Sequence, residues 1–439
     1  MSGAPLKFRS TRGGDERLGF SEALWRGLAA DGGLYVPESW PRFTLADFDG
    51  AETLPEVAER LLAPFVAGDP LAPQLGEIVR EAFDFPAPLR SVLGTADDEV
   101  LTVLELSQGP TAAFKDFGAR FLAACFQRIR KPGSAPVNIL VATSGDTGGA
   151  VAAAFHGRPG MSVTVLFPKG LVSPTQQHQL TCWGDNVRAF TVRGTFDDCQ
   201  RMVKEAFADA ALRQHQQLSS ANSINLGRLL PQAVYYAATS LAWHRKRGRP
   251  LSFIIPSGNL GNAVACLWAR QMGLPIARVV LAHNANRTVP DFLSTGEWRP
   301  RSSVATIASA MDVGNPSNME RMRDLFQDLE VLRGAVSAFG VDDPAIRSRI
   351  REDRVRIGEI WCPHTAVAAE VWATMSVELR RSEAWCLVST ASPAKFPEIV
   401  EPLIEARVPV PQTLAWLFDR RSFFEEIDAS LESLRIKLK

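Results

Sequence analysis

One lysine stands out as able to form a covalent bond. Lys115 lies in Ser107–Ala124 (SQGPTAAFKDFGARFLAA), flanked by Ala113, Phe114, Asp116 and Phe117. Apolar neighbours strip water from an ammonium group and disfavour its charge. A neutral amine can attack an aldehyde and form a Schiff base. A lysine beside an aspartate on a solvated surface would do none of this, so the case for Lys115 rests on what surrounds it. Three loops rich in small polar residues supply the context: Thr143–Gly149 (TSGDTGG), Ser257–Asn262 (SGNLGN) and Ser389–Lys395 (STASPAK). Each follows an apolar run and precedes a segment with helical signals. Small residues let backbone N–H groups converge, and a helix N-terminus favours negative charge, so such loops suit a phosphate or carboxylate. A tight turn with a helix cap explains any one of them. Three at equivalent strand ends point to an anion-binding cleft. None carries the phosphate-loop pattern G-x-x-x-x-G-K-[ST] or the dinucleotide fingerprint G-x-G-x-x-G.

The elements that must hold these loops are legible as a rhythm. From Glu99 onward, apolar and β-branched runs alternate with Ala-rich segments of helical period. Strands are expected at Val100–Leu106, Val137–Ala142, Val163–Phe167, Val187–Val192, Leu251–Pro256, Val279–His283 and Trp385–Val388. Continuous apolar runs suit strands covered on both faces, hence a doubly wound, mainly parallel α/β architecture. Ligands in such sheets sit beyond the carboxyl ends of the strands, where the three loops lie. Residues 1–95 differ: short helical patterns at Leu54–Phe65 and Gly76–Phe83 are separated by Pro and Gly, so a mostly helical N-terminal domain is expected.

Composition narrows the function. The 439 residues imply two to three domains, and 46% apolar with 22% charged residues is ordinary for a globular protein. Forty-eight basic residues balance forty-eight acidic ones, so no net field attracts nucleic acid or an anionic membrane. The basic run His244–Pro250 reads as cations closing a helix before Gly and Pro. The opening MSGAPLKFRSTRGG lacks the apolar core of a secretory signal, and no run of eighteen apolar residues occurs. Cys125, Cys182, Cys199, Cys266, Cys362 and Cys386 show no C-x-x-C spacing and read as buried thiols of a reducing compartment. A cytoplasmic protein without a metal site is expected, as a monomer or homodimer.

The run GPTAAFKDFGARF resembles the cofactor-lysine segment of the threonine synthase family, pyridoxal-phosphate enzymes of the tryptophan-synthase-β fold type (fold type II). Further segments resemble that family in the same order. They are Ser10–Glu38, Val141–Phe155, Phe167–Leu180 (FPKGLVSPTQQHQL), Asn222–Ala238, Pro256–Ala265, Ser309–Met322 (SAMDVGNPSNMERM) and Ala391–Phe396 (ASPAKF). The resemblance implies an N-terminal family domain over residues 1–95 and a catalytic region over 96–439. The latter would have two α/β lobes, the smaller roughly 125–235 and the larger the remainder. It implies pyridoxal 5'-phosphate on Lys115, the loop Gly258, Asn259, Leu260, Gly261 and Asn262 around the cofactor phosphate, and Thr390 facing the pyridine nitrogen. Asp146 stands where some members carry Asn beside the phenolic oxygen. For a phosphorylated amino-acid substrate it implies Asn222, Ser223 and Arg228, joined by Thr143, Ser144 and Thr147, with Lys169 as a further cation.

The implied reaction converts O-phospho-L-homoserine and water to L-threonine and phosphate, by γ-elimination and then β-addition of water. Two departures bear on it: Gln108 and Ser392 stand where relatives often carry histidine. They favour the rival reading, a phospholyase releasing 2-oxobutyrate, ammonia and phosphate. A cofactor-free metabolite-binding protein is the alternative from another class, opposed by Lys115, Arg228 and the SGNLGN loop. His283 and His364 are weaker candidates, since a single histidine beside an apolar strand is more often a hydrogen-bonded core residue.

Overall fold

A computed structural model describes residues 5–93, 99–131 and 133–438. In chain order its strands are β1 Phe8–Ser10, β2 Tyr35–Pro37, β3 Leu89–Leu93, β4 Val100–Glu105, β5 Val137–Ala142, β6 Met161–Pro168, β7 Val187–Arg193, β8 Gln217–Ser219, β9 Leu251–Pro256, β10 Ile276–His283, β11 Val336–Gly340, β12 Ala384–Ser389 and β13 Glu425–Asp428. They form two main sheets. The larger runs β11-β10-β9-β12-β4-β3, all parallel except for antiparallel β3 at one edge. The smaller, wholly parallel, runs β13-β7-β6-β5-β8. Every residue of β5 and β9 is buried, Asn138 and Ser252 included, because helices cover both faces of these mainly apolar runs. Phe196–Ala208 and Asp146–Phe155 pack on the smaller sheet, and Pro363–Ala373 packs on β9, β10 and β12.

All seven expected strands form within one or two residues of their expected limits, apart from three added at the start of β10. The N-terminal part contributes helices Leu54–Val66 and Leu75–Ala82, a two-stranded β1–β2 ribbon and the edge strand β3. The boundary expected at residues 95 and 96 lies outside the described residues. One assignment differs from expectation. The smaller lobe was expected to end near residue 235, yet β13 returns from the far C-terminus to pair with β7. Ile427, Leu434 and Leu438 join the core of that lobe. Among the described residues, no helix is long and apolar enough to cross a membrane.

Two backbone arrangements place the chemistry. The loop after β12 is zipped to the loop before Lys115: Phe114 N donates to Thr390 O (2.9 Å) and Ser392 N donates to Ala112 O (3.0 Å). The helix Lys115–Ile129 therefore opens at the carboxyl end of the larger sheet. Gly118 then lets this helix press on Leu226–Leu229, since a Cβ there would run into the Arg228 carbonyl oxygen. Arg228 is thereby brought beside the first turn of the Lys115 helix.

Candidate active site

A single cleft is lined by Lys115, Thr143, Ser144, Asp146, Thr147, Asn222, Ser223, Arg228, Gly258–Asn262, His364 and Thr390. All the expected site residues except Lys169 meet there. Lys169 projects from an exposed turn, 58% exposed, and pairs with Glu426 of β13 at 2.6 Å. The structure does not bring it to the cleft, because the C-terminal strand claims its charge. Gln108 is exposed, and Ser392 caps a short helical turn through Ala394 N; neither lines the cleft.

The Lys115 side chain is 15% exposed, with Nζ 3.8 Å from Asp146 Oδ2. Burial is the largest influence on it, and nearby Lys395 and Arg228 add to that effect against the pull of Asp146. Together they lower its pKa from 10.5 to about 8. The preceding loop is held by Asp116, which accepts Thr111 N–H (2.9 Å) and Thr111 O–H (2.6 Å). Ala112 sits at φ 50°, a costly conformation for a residue with a side chain.

The glycine-lined loop is shaped to approach an anion. Leu260 adopts φ 64° and places the helix Gly261–Gln271 with its first N–H groups toward the cleft. A Cβ on Gly258 would lie 2.7 Å from Met311 Cα, so only glycine fits. Asn262 Oδ1 accepts hydrogen bonds from Tyr235 (2.5 Å) and Tyr236 (2.8 Å), which leaves its buried Nδ2 without a partner. Asn259 is committed to structure: its Nδ2 donates to Ser223 Oγ (2.7 Å) and its Oδ1 accepts from Ser317 N (2.6 Å). Asn318 Nδ2 also donates to Ser223 Oγ, at 3.2 Å. The hydroxyl hydrogen of Ser223 is thus left for another acceptor.

Arg228 is 2% exposed and forms no ion pair among the described residues. One Nη donates to Ala221 O, the other reaches Lys115 O at 3.5 Å, and Nε is unpartnered. Burial lowers its pKa to about 10, far above neutrality, so the guanidinium keeps its charge. Thr143 Oγ1 accepts from Gly145 N and Gly148 N, both at 2.9 Å, and so fixes the turn that presents Ser144 and Thr147.

Three contributors escaped sequence reading. Lys395 is wholly buried, its Nζ 2.7 Å from Asp146 Oδ1. Gln176 caps its own helix through Ser173 and also donates to Asp146 Oδ1 at 3.0 Å. Arg321 is also wholly buried and donates to Ser223 O (3.0 Å), Ile224 O (2.7 Å) and Tyr35 O (3.1 Å), anchoring the Asn222 segment to β2. The only signal was that all three lie within family-like segments. His364 does line the cleft; its Nε2 accepts Ala310 N–H (3.0 Å) while Nδ1 is buried without a partner. Burial first, with Lys115 and Lys395 near, depresses its pKa to about 4 and keeps it neutral. His283 lies at the end of β10, outside the lining. Among the described residues there is no cluster of three or more His, Cys, Asp or Glu side chains fit for a metal.

Residues 84–391 match the family model described as pyridoxal-phosphate dependent enzyme. With the two-lobed parallel fold, that defines the class: a pyridoxal-phosphate enzyme of fold type II. The flanks narrow it, since residues 7–83 match threonine synthase N terminus and 365–436 match threonine synthase, C-terminal. Threonine synthase of Haemophilus influenzae is 38% identical over 428 residues, 97% of each chain. The crystal structure of threonine synthase from Escherichia coli superposes with a TM-score of 0.88 at 36% identity, covering 98% of this chain and 99% of that one. The pyridoxal-phosphate-bound threonine synthase of Brucella melitensis gives 0.87 at 34% identity, covering 99% and 98%. The chain belongs to the threonine synthase family.

The residues present fit the cofactor. A buried amine of lowered proton affinity lies in the same cleft as a glycine-restricted helix N-terminus and an unpartnered amide donor at Asn262. An aldehyde bearing a phosphate needs that pair of features.

Proposed function

We propose that this enzyme makes L-threonine and phosphate from O-phospho-L-homoserine and water, with Lys115 as its cofactor-bearing and proton-transferring residue. Pyridoxal phosphate, when bound, supplies an electron sink that acidifies the carbon next to the substrate's amino group and lets the γ-phosphate depart. Gly258–Asn262 hold the cofactor phosphate through backbone N–H groups and Asn262 Nδ2. Asp146 and Thr390 complete the cofactor's surroundings. Arg228, Asn222 and Ser223, with Ser144 and Thr147 on the turn fixed by Thr143, hold the substrate phosphate. Lys115 Nζ takes the proton from the substrate's α-carbon. By retaining the released phosphate, Arg228 and Ser223 keep bulk water out and orient the molecule that adds at the β-carbon.

One observation carries this reading: two separate sets of anion donors share a cleft with the amine of Lys115, the lysine that lines it. The glycine-lined set lies at the Gly261 helix, and the Arg228 set lies across the Asn259–Ser223 bridge. A phospholyase would share most of the site, but neither departure that favoured it reaches the cleft. Supplying O-phosphohomoserine and measuring threonine against 2-oxobutyrate decides between them. Predominant threonine supports the reading, and stoichiometric 2-oxobutyrate overturns it.

The same reading takes residues 1–95 as an N-terminal domain and the remainder as two α/β lobes. It takes the protein as a cytoplasmic monomer or homodimer without nucleic-acid partners. Its zero net charge supports the absence of nucleic-acid partners, and its six free, buried cysteines support a reducing compartment.

A further inference from the structure

Lys395 is a wholly buried lysine beside the cleft. A lysine with no exposed surface forfeits its hydration, and only close partners offset that loss. Its Nζ donates to Thr111 O at 2.9 Å and lies 2.7 Å from Asp146 Oδ1. Asp146 opens the helix Asp146–Phe155, where the helix dipole also favours a negative charge. Gln176 Nε2 meets the same Oδ1 at 3.0 Å. One carboxylate oxygen is thereby used up by Lys395 and Gln176, and the other is left 3.8 Å from Lys115 Nζ.

We propose that Lys395 is a positioning residue that, through Asp146, sets how tightly the nitrogen of Lys115 holds its proton. The proposal rests on Lys115 being the cofactor-bearing lysine. Three charges stand in line: Lys395 positive, Asp146 negative, Lys115 positive. With Lys395 present, much of the Asp146 charge is already spent, so its hold on a proton at Lys115 is weak. Without Lys395, Lys115 is the nearest remaining cation for a buried carboxylate and keeps its proton to higher pH. The other charged or titratable groups facing this line are Arg228 and His364 around Lys115, Asp116 beside Lys395, and Cys362 near Asp146, whose thiol burial pushes up. Arg228 opposes protonation of Lys115 and His364 is neutral, so neither replaces Lys395 as the partner of Asp146. The lowered proton affinity of Lys115, to which Lys395 contributes, agrees with this arrangement. The pair also joins the lobes. Asp146 and Gln176 belong to the smaller lobe and Lys395 to the loop after β12, and Ser173 Oγ donates to Lys395 O at 2.9 Å. The proton affinity of Lys115 is therefore tied to closure of this seam.

The test is a pH titration of the visible absorption of the holoenzyme, read independently of turnover. Lys395→Met is expected to raise the midpoint by about 1–2 pH units, the size of one unit charge removed a few ångströms from the titrating nitrogen. Lys395→Arg is expected to stay near wild type. Asp146→Asn combined with Lys395→Met is expected to return the midpoint to the wild-type value or below. An unchanged curve for Lys395→Met overturns the proposal. If Lys395→Met does not fold, recovery of folding in the double variant supports the pairing, and failure of the double variant while Asp146→Asn alone folds overturns it. Lys115→Ala separates the two levels: a folded Lys115→Ala protein that retains the visible band refutes the cofactor assignment itself, whatever Lys395 does.

Discussion

Replacing Arg228 with methionine should separate stability from function. The guanidinium has five N–H donors, of which one serves Ala221 O and a second reaches Lys115 O at 3.5 Å. The remainder, including the unpartnered Nε, are available to a phosphate. Losing two charge-assisted hydrogen bonds, at about 1.5–3 kcal/mol each, and allowing for water that enters the space, removes about 3–5 kcal/mol of substrate stabilisation. At about 1.4 kcal/mol per tenfold, kcat/KM for O-phosphohomoserine falls roughly 100- to 3,000-fold. Folding responds differently. The wild-type protein buries this cation without a carboxylate, and burial alone brings its pKa down to about 10. Methionine of similar length removes that cost, leaves the Ala221 carbonyl without this donor and forfeits the long contact to Lys115 O, so Tm should stay within about 3 °C of wild type. Steady-state kinetics, cofactor titration and thermal melts of one preparation measure all three quantities. Equal losses of cofactor affinity and substrate kcat/KM, or a melt lowered by ten degrees or more, would refute the division into two anion sites.

Gly118→Ala should cost about 1–3 kcal/mol in urea unfolding, because its Cβ meets the Arg228 backbone, and should lower kcat/KM at least tenfold by moving Arg228. Joint replacement of Tyr235 and Tyr236 by Phe should weaken pyridoxal phosphate binding about 5- to 10-fold in equilibrium titrations, as the Asn262 amide becomes free to turn. In the cofactor-free protein the rate of cofactor attachment should depend on pH through Lys115. Only the neutral amine attacks, so the rate rises about tenfold per unit up to pH about 8 and levels above it. A rate still climbing toward pH 10 would show an amine unaffected by burial.

The parts of this protein legible in the sequence are those whose chemistry is local. Mainly apolar runs without strict alternation marked β5 and β9 because both faces are covered, and glycine-rich loops before Ala-rich segments marked the helix N-termini that face the cleft. Lys115 could be singled out because Ala113, Phe114 and Phe117 flank it in sequence and three loops suited to anions lie at equivalent strand ends. Lys395 could not, since its partner Asp146 is supplied by the other lobe. Gln176 is the third-position partner in the capping box of Ser173, and nothing in its neighbours marks its second bond to Asp146. The short edge strand β13 reads Glu-Glu-Ile-Asp, with one buried residue, and offers no apolar alternation. Because β13 was invisible, so was Glu426, and Lys169 was assigned to a phosphate when its partner is a surface carboxylate.

The N-terminal region acquires a purpose by the same reasoning. Its links to the helix Met319–Leu325 differ greatly in worth. Arg12 and Glu320 form an exposed pair, which in water contributes little. Arg9 grips Asp324 with two bonds, at 2.6 and 3.1 Å, in a half-buried position, and contributes more. The decisive contact is Arg321, buried without an ion pair among the described residues and satisfied there by neutral acceptors at Tyr35, Ser223, Ile224 and Asn318. Burying such a cation is costly, and any movement of β2 or of the Asn222 segment would leave its donors unpaired. The geometry of Ser223, and with it the proposed substrate phosphate site, is therefore held from beneath by the N-terminal ribbon. A chain whose charges sum to zero thus concentrates Lys115, Lys395, Arg228 and Arg321 around one cleft, against the carboxylates of Asp146 and Asp116. That local excess of positive charge, fixed by backbone contacts, is what the proposed function needs to hold a dianionic substrate without any attractive field from the protein as a whole.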